Sequence, residues 1–322
     1  MHWLDRALYL ALPRQPFFAG GWGDRRVLEE RRIERLRGLP PDPVEVRWER
    51  EERRSGARVR IGWFDSPEQL LPAEGRRARV QLLLPETGKP RAVCVHLAAS
   101  GDQGFGPRAR FAGPLLRRGL AALILENAYY GERRPTGQPG AAVRTVSDLV
   151  VMGSATVREA RALLAWLRGQ GHPRVGVAGY SMGGQMAAVV AASLPFPLAV
   201  AAMAPSNSPA TVFTEGLLST HPRWDALTRP GERPEKARAA LRERFLPFAV
   251  TALPPPAEPR AAVVVGNRGD GVVAPADMQR IAEHWGCEMR WLDTGHVGAV
   301  LWHQEALRAA VADAFDRLPG GD

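Results

Sequence analysis

The chain has 322 residues, 45% of them hydrophobic and 24% charged, which is enough to bury a sizeable core in the proportions of an ordinary folded protein. Its 33 glycines and 28 prolines follow no period, so collagen-like, coiled-coil and repeat architectures are excluded. The formal charge of +9 comes from 43 basic residues of which only Lys89 and Lys236 are lysines. The arginines are dispersed among acidic residues rather than gathered in a stripe, and no nucleic-acid partner is expected.

An amphipathic start led by Trp3, Leu4 and Ala7 is interrupted by Asp5 and Arg6, and it has neither the basic flank nor the small-residue cleavage site of a secretory signal. It is suited instead to touching a membrane surface from one side, so the expected location is cytoplasmic with possible peripheral membrane contact. A charged helical stretch over 24–37 follows, ending at the Pro40-Pro41-Asp42-Pro43 break. Short strands are predicted at 44–48, 58–64 and 79–84, the beginnings of an antiparallel edge, while 49–54 mixes both charge signs as a solvated face does.

After Gly88-Lys89-Pro90 the rhythm becomes strand, loop, helix. Continuous apolar strands at 92–97, 121–125, 174–178, 198–203, 261–265 and 288–292 alternate with helices at 108–118, 147–168, 182–193, 275–285 and 297–318. Runs apolar on both faces describe a parallel sheet covered by helices on both sides. The apolar run 186–205 is broken by Pro195 and Pro197, so it reads as helix then strand and not as a membrane span. Cys94 and Cys287 lie in such strand-like text without metal-ligand spacing, which predicts buried free thiols. Between Met203 and Ala261 the alternation lapses into Pro-punctuated text with helical pieces at 209–219 and 234–245, an insertion of about 205–257 placed to act as a lid. The expected organisation is an arm with leading strands over 1–75, followed by the main domain over 76–322.

Gly179-Tyr180-Ser181-Met182-Gly183 matches GxSxG in the setting that gives the motif meaning: a strand enters it and an Ala-rich helix leaves it. Such a turn projects the serine hydroxyl above the sheet, at a helix N-terminus that favours developing negative charge. A serine needs an adjacent base. Two later loops supply partners in the order acid then histidine: Asp270 after the strand 261–265, and His296 after the strand 288–292. Of the seven histidines, His2, His172, His221, His284 and His303 fail on position, and His96 is better suited to buttress its loop. Asp277 is expected on a helix surface and Asp293 in a turn. The oxyanion donors are expected to be the N–H of Met182 and one from the loop 96–102, with Ala98 the second donor, although that loop carries Leu and Ala where HGGG-type loops carry glycine. Glu126, Asn127, Tyr129 and Tyr130 end the next strand, where they either rim the pocket or fix its loops.

The loop 96–102, Leu125-Glu126-Asn127-Ala128-Tyr129-Tyr130-Gly131, Ser147-Asp148-Leu149-Val150-Val151-Met152-Gly153 and Ser181-Met182-Gly183-Gly184 together resemble the alpha/beta hydrolase domain-containing protein 18 family. The resemblance reaches back to 17–22 and covers nearly the whole chain. It implies an alpha/beta hydrolase fold: a mostly parallel sheet with antiparallel leading strands, helices on both faces and a helical lid insertion. It also implies a serine-hydrolase scaffold with Ser181, Asp270 and His296 as the triad. The expected activity is cleavage of an acyl ester by a carboxylesterase or lipid-acyl hydrolase, with a small-molecule or lipid ester as substrate. No phosphate loop, dinucleotide fingerprint or metal spacing is present in the sequence, so neither cofactor nor metal is expected. A dipeptidyl or prolyl type peptidase is the alternative chemistry. A catalytically silent hydrolase-fold binding protein is the alternative class, which reaction with a fluorophosphonate would separate from an enzyme.

Overall fold

The computed structural model describes residues 1–11, 16–29, 38–54 and 56–320. Helices α1 (Trp3–Ala11) and α2 (Arg25–Glu29) precede the sheet; the remainder of the helical stretch expected over 24–37 lies outside the described residues. The first three strands, β1 (Arg47–Arg54), β2 (Ala57–Asp65) and β3 (Arg77–Pro85), form an antiparallel meander. β4 (Ala92–Leu97), α3 (Gly106–Ala112) with a following 3-10 turn, and β5 (Leu120–Leu125) begin the parallel part. The long α4 (Val146–Gly169), β6 (Val175–Tyr180), α5 (Met182–Ala192) and β7 (Ala199–Met203) carry it on. The excursion after β7 holds α6 (Pro209–Thr214), α7 (Trp224–Leu227) and α8 (Pro234–Phe245). It is followed by β8 (Ala262–Asn267), α9 (Pro275–Trp285), β9 (Glu288–Leu292), α10 (His296–Trp302) and α11 (Gln304–Arg317).

The nine strands make one sheet in the order β1-β2-β3-β5-β4-β6-β7-β8-β9, with β3 antiparallel to β5 and all pairs from β5 to β9 parallel. Alternation along each central strand divides the core. Val93, Val95 and Leu97 of β4 join Leu163 of α4, Val189 of α5 and Ile281 of α9 on one face. Ala92 and Cys94 join Val311 and Phe315 of α11 on the other. From β4 the chain steps to β5 on one side and later to β6 on the other, so the strand order reverses between β4 and β6, where ligands of open α/β sheets bind.

Three local expectations change. The first strand begins at Arg47 and runs through the charged segment 49–54, with a register shift between Trp48 and Arg50. An edge strand needs no apolar face, and Glu51 is paired across to Arg58 and Arg60. The final helix is two helices separated at His303, because α10 packs on α1 whereas α11 packs on β7 and β8. The helices expected at 108–118 and 209–219 are each α-helical for one part and 3-10 for another.

One buried ion pair ties the leading strands to the parallel body. The Arg133 guanidinium bonds both carboxylate oxygens of Glu159 on α4, at 2.8 and 2.5 Å, and also reaches Gly75 O and Glu126 O. Ser66 Oγ donates to the same carboxylate. Both side chains are essentially unexposed, and losing one partner would leave a buried charge unpaired. Glu159→Ala should therefore lower the unfolding free energy by about 3–5 kcal/mol in urea titrations, against a small change for Glu29→Ala, which breaks only the exposed Arg25–Glu29 pair on α2.

Candidate active site

Strand β6 enters the GxSxG turn and α5 leaves it, as the sequence predicts. Ser181 stands between them at φ +56 and ψ −119, a conformation that side-chain-bearing residues rarely adopt. Close backbone packing holds it there. A Cβ on Gly179 would lie 2.3 Å from the backbone of Gly183, and one on Gly183 would lie 2.6 Å from Leu97 O. The Ser181 N–H donates to Met203 O at 2.8 Å, tying the turn to the end of β7. A serine at a helix start would ordinarily cap it, yet Ser181 makes no capping bond. Its hydroxyl instead donates to His296 Nε2 at 3.0 Å.

His296 opens α10, and its Nδ1–H donates to Asp270 Oδ2 at 2.7 Å. Asp270 follows β8 and accepts further bonds from Asn267 Nδ2 and from the N–H groups of Val272 and Val273. Burial alone would push the Asp270 pKa up. The neighbouring imidazole, the Val273 N–H and the Asn267 amide outweigh it and hold the carboxyl below its ordinary range. The Tyr180 ring packs on His296 with centroids 5.1 Å apart, and its hydroxyl donates to His296 O at 2.5 Å while accepting from Asn267 Nδ2. The other carboxylates are elsewhere. Asp293 is exposed and paired with Arg268 at 3.0 Å. Asp277, expected on a helix surface, is buried and accepts from Thr211 Oγ1 at 2.7 Å, because the excursion after β7 folds back over α9.

Met182 begins α5, whose first N–H groups have no partner within the helix and are left uncapped by Ser181. Ala98 is buried directly after β4, and its backbone abuts Gly183: a Cβ there would be 2.8 Å from Ala98 O. The structure thus brings Ala98 against the first turn of α5, beside Met182. Behind this loop His96 is buried, its ring against Phe111 and its carbonyl bonded by Arg108. Burial and the Arg108 charge push its pKa down to about 3, so it is a neutral support at ordinary pH.

Ser181 opens into a cavity lined mainly by apolar side chains. Met152 and Gly153 of α4 and Met186 and Val189 of α5 form one wall; Val212, Phe213, Leu218, Phe245 and Phe248 of the excursion after β7 form another. Ser181, Gln185 and Val189 succeed one another at helical spacing, so the cavity follows α5 for about 12 Å. Leu217 is not in the lining; it lies with Met1 against Gly271. Of the residues after β5, Tyr130 reaches the cavity, whereas Asn127 is bonded to Thr156 and Tyr129 to Asp148. Among the described residues no group of three or more His, Cys, Asp or Glu is placed to hold a metal ion.

The sequence profile described as alpha/beta hydrolase domain containing 18 matches residues 15–238 and 231–317. The chain belongs to that family. Solved structures with the same fold include acetyl xylan esterase 1 from Thermoanaerobacterium sp. JW/SL YS485, 15% identical over 96% of this chain and 98% of that one with a TM-score of 0.60. The acetyl xylan esterase from Paenibacillus sp. R4 is 14% identical over 95% and 98%, TM-score 0.59. A cold-adapted esterase from an Arctic intertidal metagenomic library is 17% identical over 85% and 100%, TM-score 0.54. At these identities the likeness is one of fold.

In this member of the alpha/beta hydrolase domain containing 18 family, three residues that the sequence did not single out shape the site: Tyr180, Asn267 and Asp5. Tyr180 and Asn267 lie at or beside the motifs, but their roles depend on a mutual contact across 87 positions. Asp5 signalled itself only as an acid breaking an apolar helix face; it is buried and bonds the His296 N–H at 2.7 Å.

The depressed Asp270 carboxyl has a sign for stability. Its stabilisation is full above the unfolded pKa of about 3.9 and is lost as pH falls through the lower folded value. Urea unfolding measured between neutral pH and pH 2 should thus show a steeper acid-side loss in the wild type than in Asp270→Asn, which cannot titrate there.

Proposed function

We propose that the protein is a serine hydrolase that cleaves acyl esters, as a carboxylesterase or lipid-acyl hydrolase, through Ser181, His296 and Asp270. The observation that carries the reading is the continuous relay from Asp270 Oδ2 to His296 Nδ1 at 2.7 Å and from His296 Nε2 to Ser181 Oγ at 3.0 Å. Asp270 fixes the imidazole with Nδ1 protonated, leaving Nε2 as the proton acceptor. Ser181 Oγ attacks the ester carbonyl carbon while its proton passes to His296 Nε2. The oxyanion is received by the N–H of Met182 and by a second donor from the loop after β4, assigned to Ala98. Collapse breaks the ester bond, the alcohol leaves with the proton from His296, and water attacks the acyl-enzyme by the same general-base route.

The apolar walls support a substrate with a hydrophobic acyl part, and exclusion of water there strengthens the electrostatic terms. The segment of about 205–257 serves as the lid: Val212, Phe213, Leu218 and Phe248 stand across the cavity from α5. Peripheral contact with a membrane is supported by exposed apolar side chains on two helices that touch each other. Met1 and Trp3 on the arm are 68% and 70% exposed, and Leu301 and Trp302 on the contacting α10 are 56% and 60% exposed. No helix among the described residues is long and apolar enough to cross a membrane.

Labelling, turnover, acyl-length preference, stability and vesicle binding test these readings. Ser181→Ala should abolish fluorophosphonate labelling and reduce turnover of p-nitrophenyl esters by about six orders of magnitude; labelling that persists, or maps to Ser100 of the loop after β4, which also lines the cavity, overturns the assignment. Leu218→Ala should shift the preferred acyl length with little loss of stability. Phe213→Ala should also destabilise by about 3–5 kcal/mol, since Phe213 packs on Phe17 and Phe18 at 5.2 Å each. In flotation with phosphatidylcholine–phosphatidylglycerol vesicles, the wild type should bind and the Trp3→Ala/Trp302→Ala double variant should bind more weakly; a wild type that stays unbound removes the membrane contact.

A further inference from the structure

Asp5 lies near the chain start yet is fully buried. Its carboxylate accepts three backbone hydrogen bonds: Oδ2 from the N–H of Gly271 at 3.0 Å and of His296 at 2.7 Å, and Oδ1 from the N–H of Val297 at 3.0 Å. Gly271 directly follows Asp270, and His296 and Val297 are the first residues of α10. One side chain thus spans the loop that carries the acid and the loop that carries the histidine. The surroundings are fitted to it: a Cβ on Gly295 would lie 2.6 Å from both Asp5 oxygens.

His2 and Tyr9 on either side of Asp5 are held in the same place. The His2 N–H donates to Gly269 O at 2.7 Å, fastening the arm to the acid loop a second time. Tyr9, one helical turn beyond Asp5, faces the same loops; burial, then the charges of Asp270 and Asp5, keep its phenol protonated. The N–H groups of His296 and Val297 have no partner within α10, so a carboxylate bonded to both fixes where that helix starts and therefore where the imidazole stands. The bond to Gly271 fixes the other end of the relay, in the turn where Asp270 also accepts from Val272 and Val273.

We propose that Asp5 is a positioning residue for the reaction, acting from outside the family-matched residues 15–317 by holding the Asp270 and His296 loops at the separation the relay requires. The inference rests on the serine-hydrolase reading. Asp5 is not in the cavity lining, so its contribution falls on the chemical step and not on substrate binding.

The test compares kcat and KM of the full-length wild type, Asp5→Ala and Asp5→Asn, each also in an Asp270→Asn background, with thermal unfolding followed in parallel. Asp5→Asn keeps the volume but sets amide hydrogens against backbone N–H donors. The expected result is a kcat lowered about tenfold to a hundredfold, as a small misplacement of reacting groups gives, with KM unchanged. Once Asp270 is replaced, Asp5 substitution should lower kcat no further, because residues acting through one unit are non-additive. Retained kcat, a rise in KM instead, or an undiminished further loss in the Asp270→Asn background overturns the inference. Failure of both variants to fold assigns Asp5 to the fold and overturns it equally. Fluorophosphonate labelling of wild-type Ser181 separately decides the hydrolase reading, so the two failures are distinguishable.

Discussion

The strained turn at Ser181 is the constraint on which the rest of the site depends. A positive φ at a non-glycine residue costs on the order of 1–3 kcal/mol and persists only where its surroundings over-determine it. Here they do so by close backbone contact: Gly179 against Gly183, Gly183 against the carbonyls of Leu97 and Ala98, and Gly184 against Met203 O. The same contacts draw the ends of β4, β6 and β7 together, at the reversal of strand order where a crevice opens. The strain, the loop after β4 and the cavity floor are therefore one packing solution. Enlarging any of these glycines would disturb all three.

The opposite half of the relay is held by hydrogen bonds instead of strain. Asp270 receives two N–H groups on one oxygen and the Asn267 amide and His296 on the other, so both oxygens are satisfied in a buried setting. Tyr180 joins the two halves: it is the first variable residue of the GxSxG motif, it bonds Asn267 at the end of β8, and it bonds the carbonyl of His296. Burial, then the nearby Asp270 charge, raise its pKa well above the ordinary phenol value, so it stays a neutral donor throughout the working range. Hydrogen bonding of this kind fixes an imidazole without adding a competing charge beside it.

What could be read from the sequence was what local pattern encodes. Strands β4 to β8 are apolar on both faces because helices cover both, and their runs of Val, Leu and Ala announce it. The elbow, the acid loop and the histidine loop each follow such a strand, so Ser181, Asp270 and His296 could be ordered before any distance was known. The features that escaped are those whose cause lies far away in the chain. β1 is charged along most of its length because it is an edge, and its pairing with β2 carries no apolar signature. Asp277 looks like a surface residue of α9 until Thr211 and Asn207 are folded onto it. The break at His303 has no glycine or proline to mark it, and follows from two helices packing on different neighbours.

The cavity shows the same dependence on distant partners. Its outer wall is anchored on Phe17 and Phe18, which precede the sheet, through Phe213, and Phe213 in turn packs on Phe245 of α8 with centroids 6.1 Å apart. A residue that both lines a binding cavity and fills a core cannot be altered for one purpose alone, so shape and stability are coupled at Phe213. Leu218 is freer, being half-buried at the edge of both clusters. The arm contributes twice to this arrangement, its first helix bracing the histidine and acid loops and its Phe17–Phe18 step bracing the wall opposite α5. Removing the segment ahead of the sheet would therefore loosen the relay and the cavity together, which makes these residues part of the site although they stand farthest in sequence from the motif that announces it.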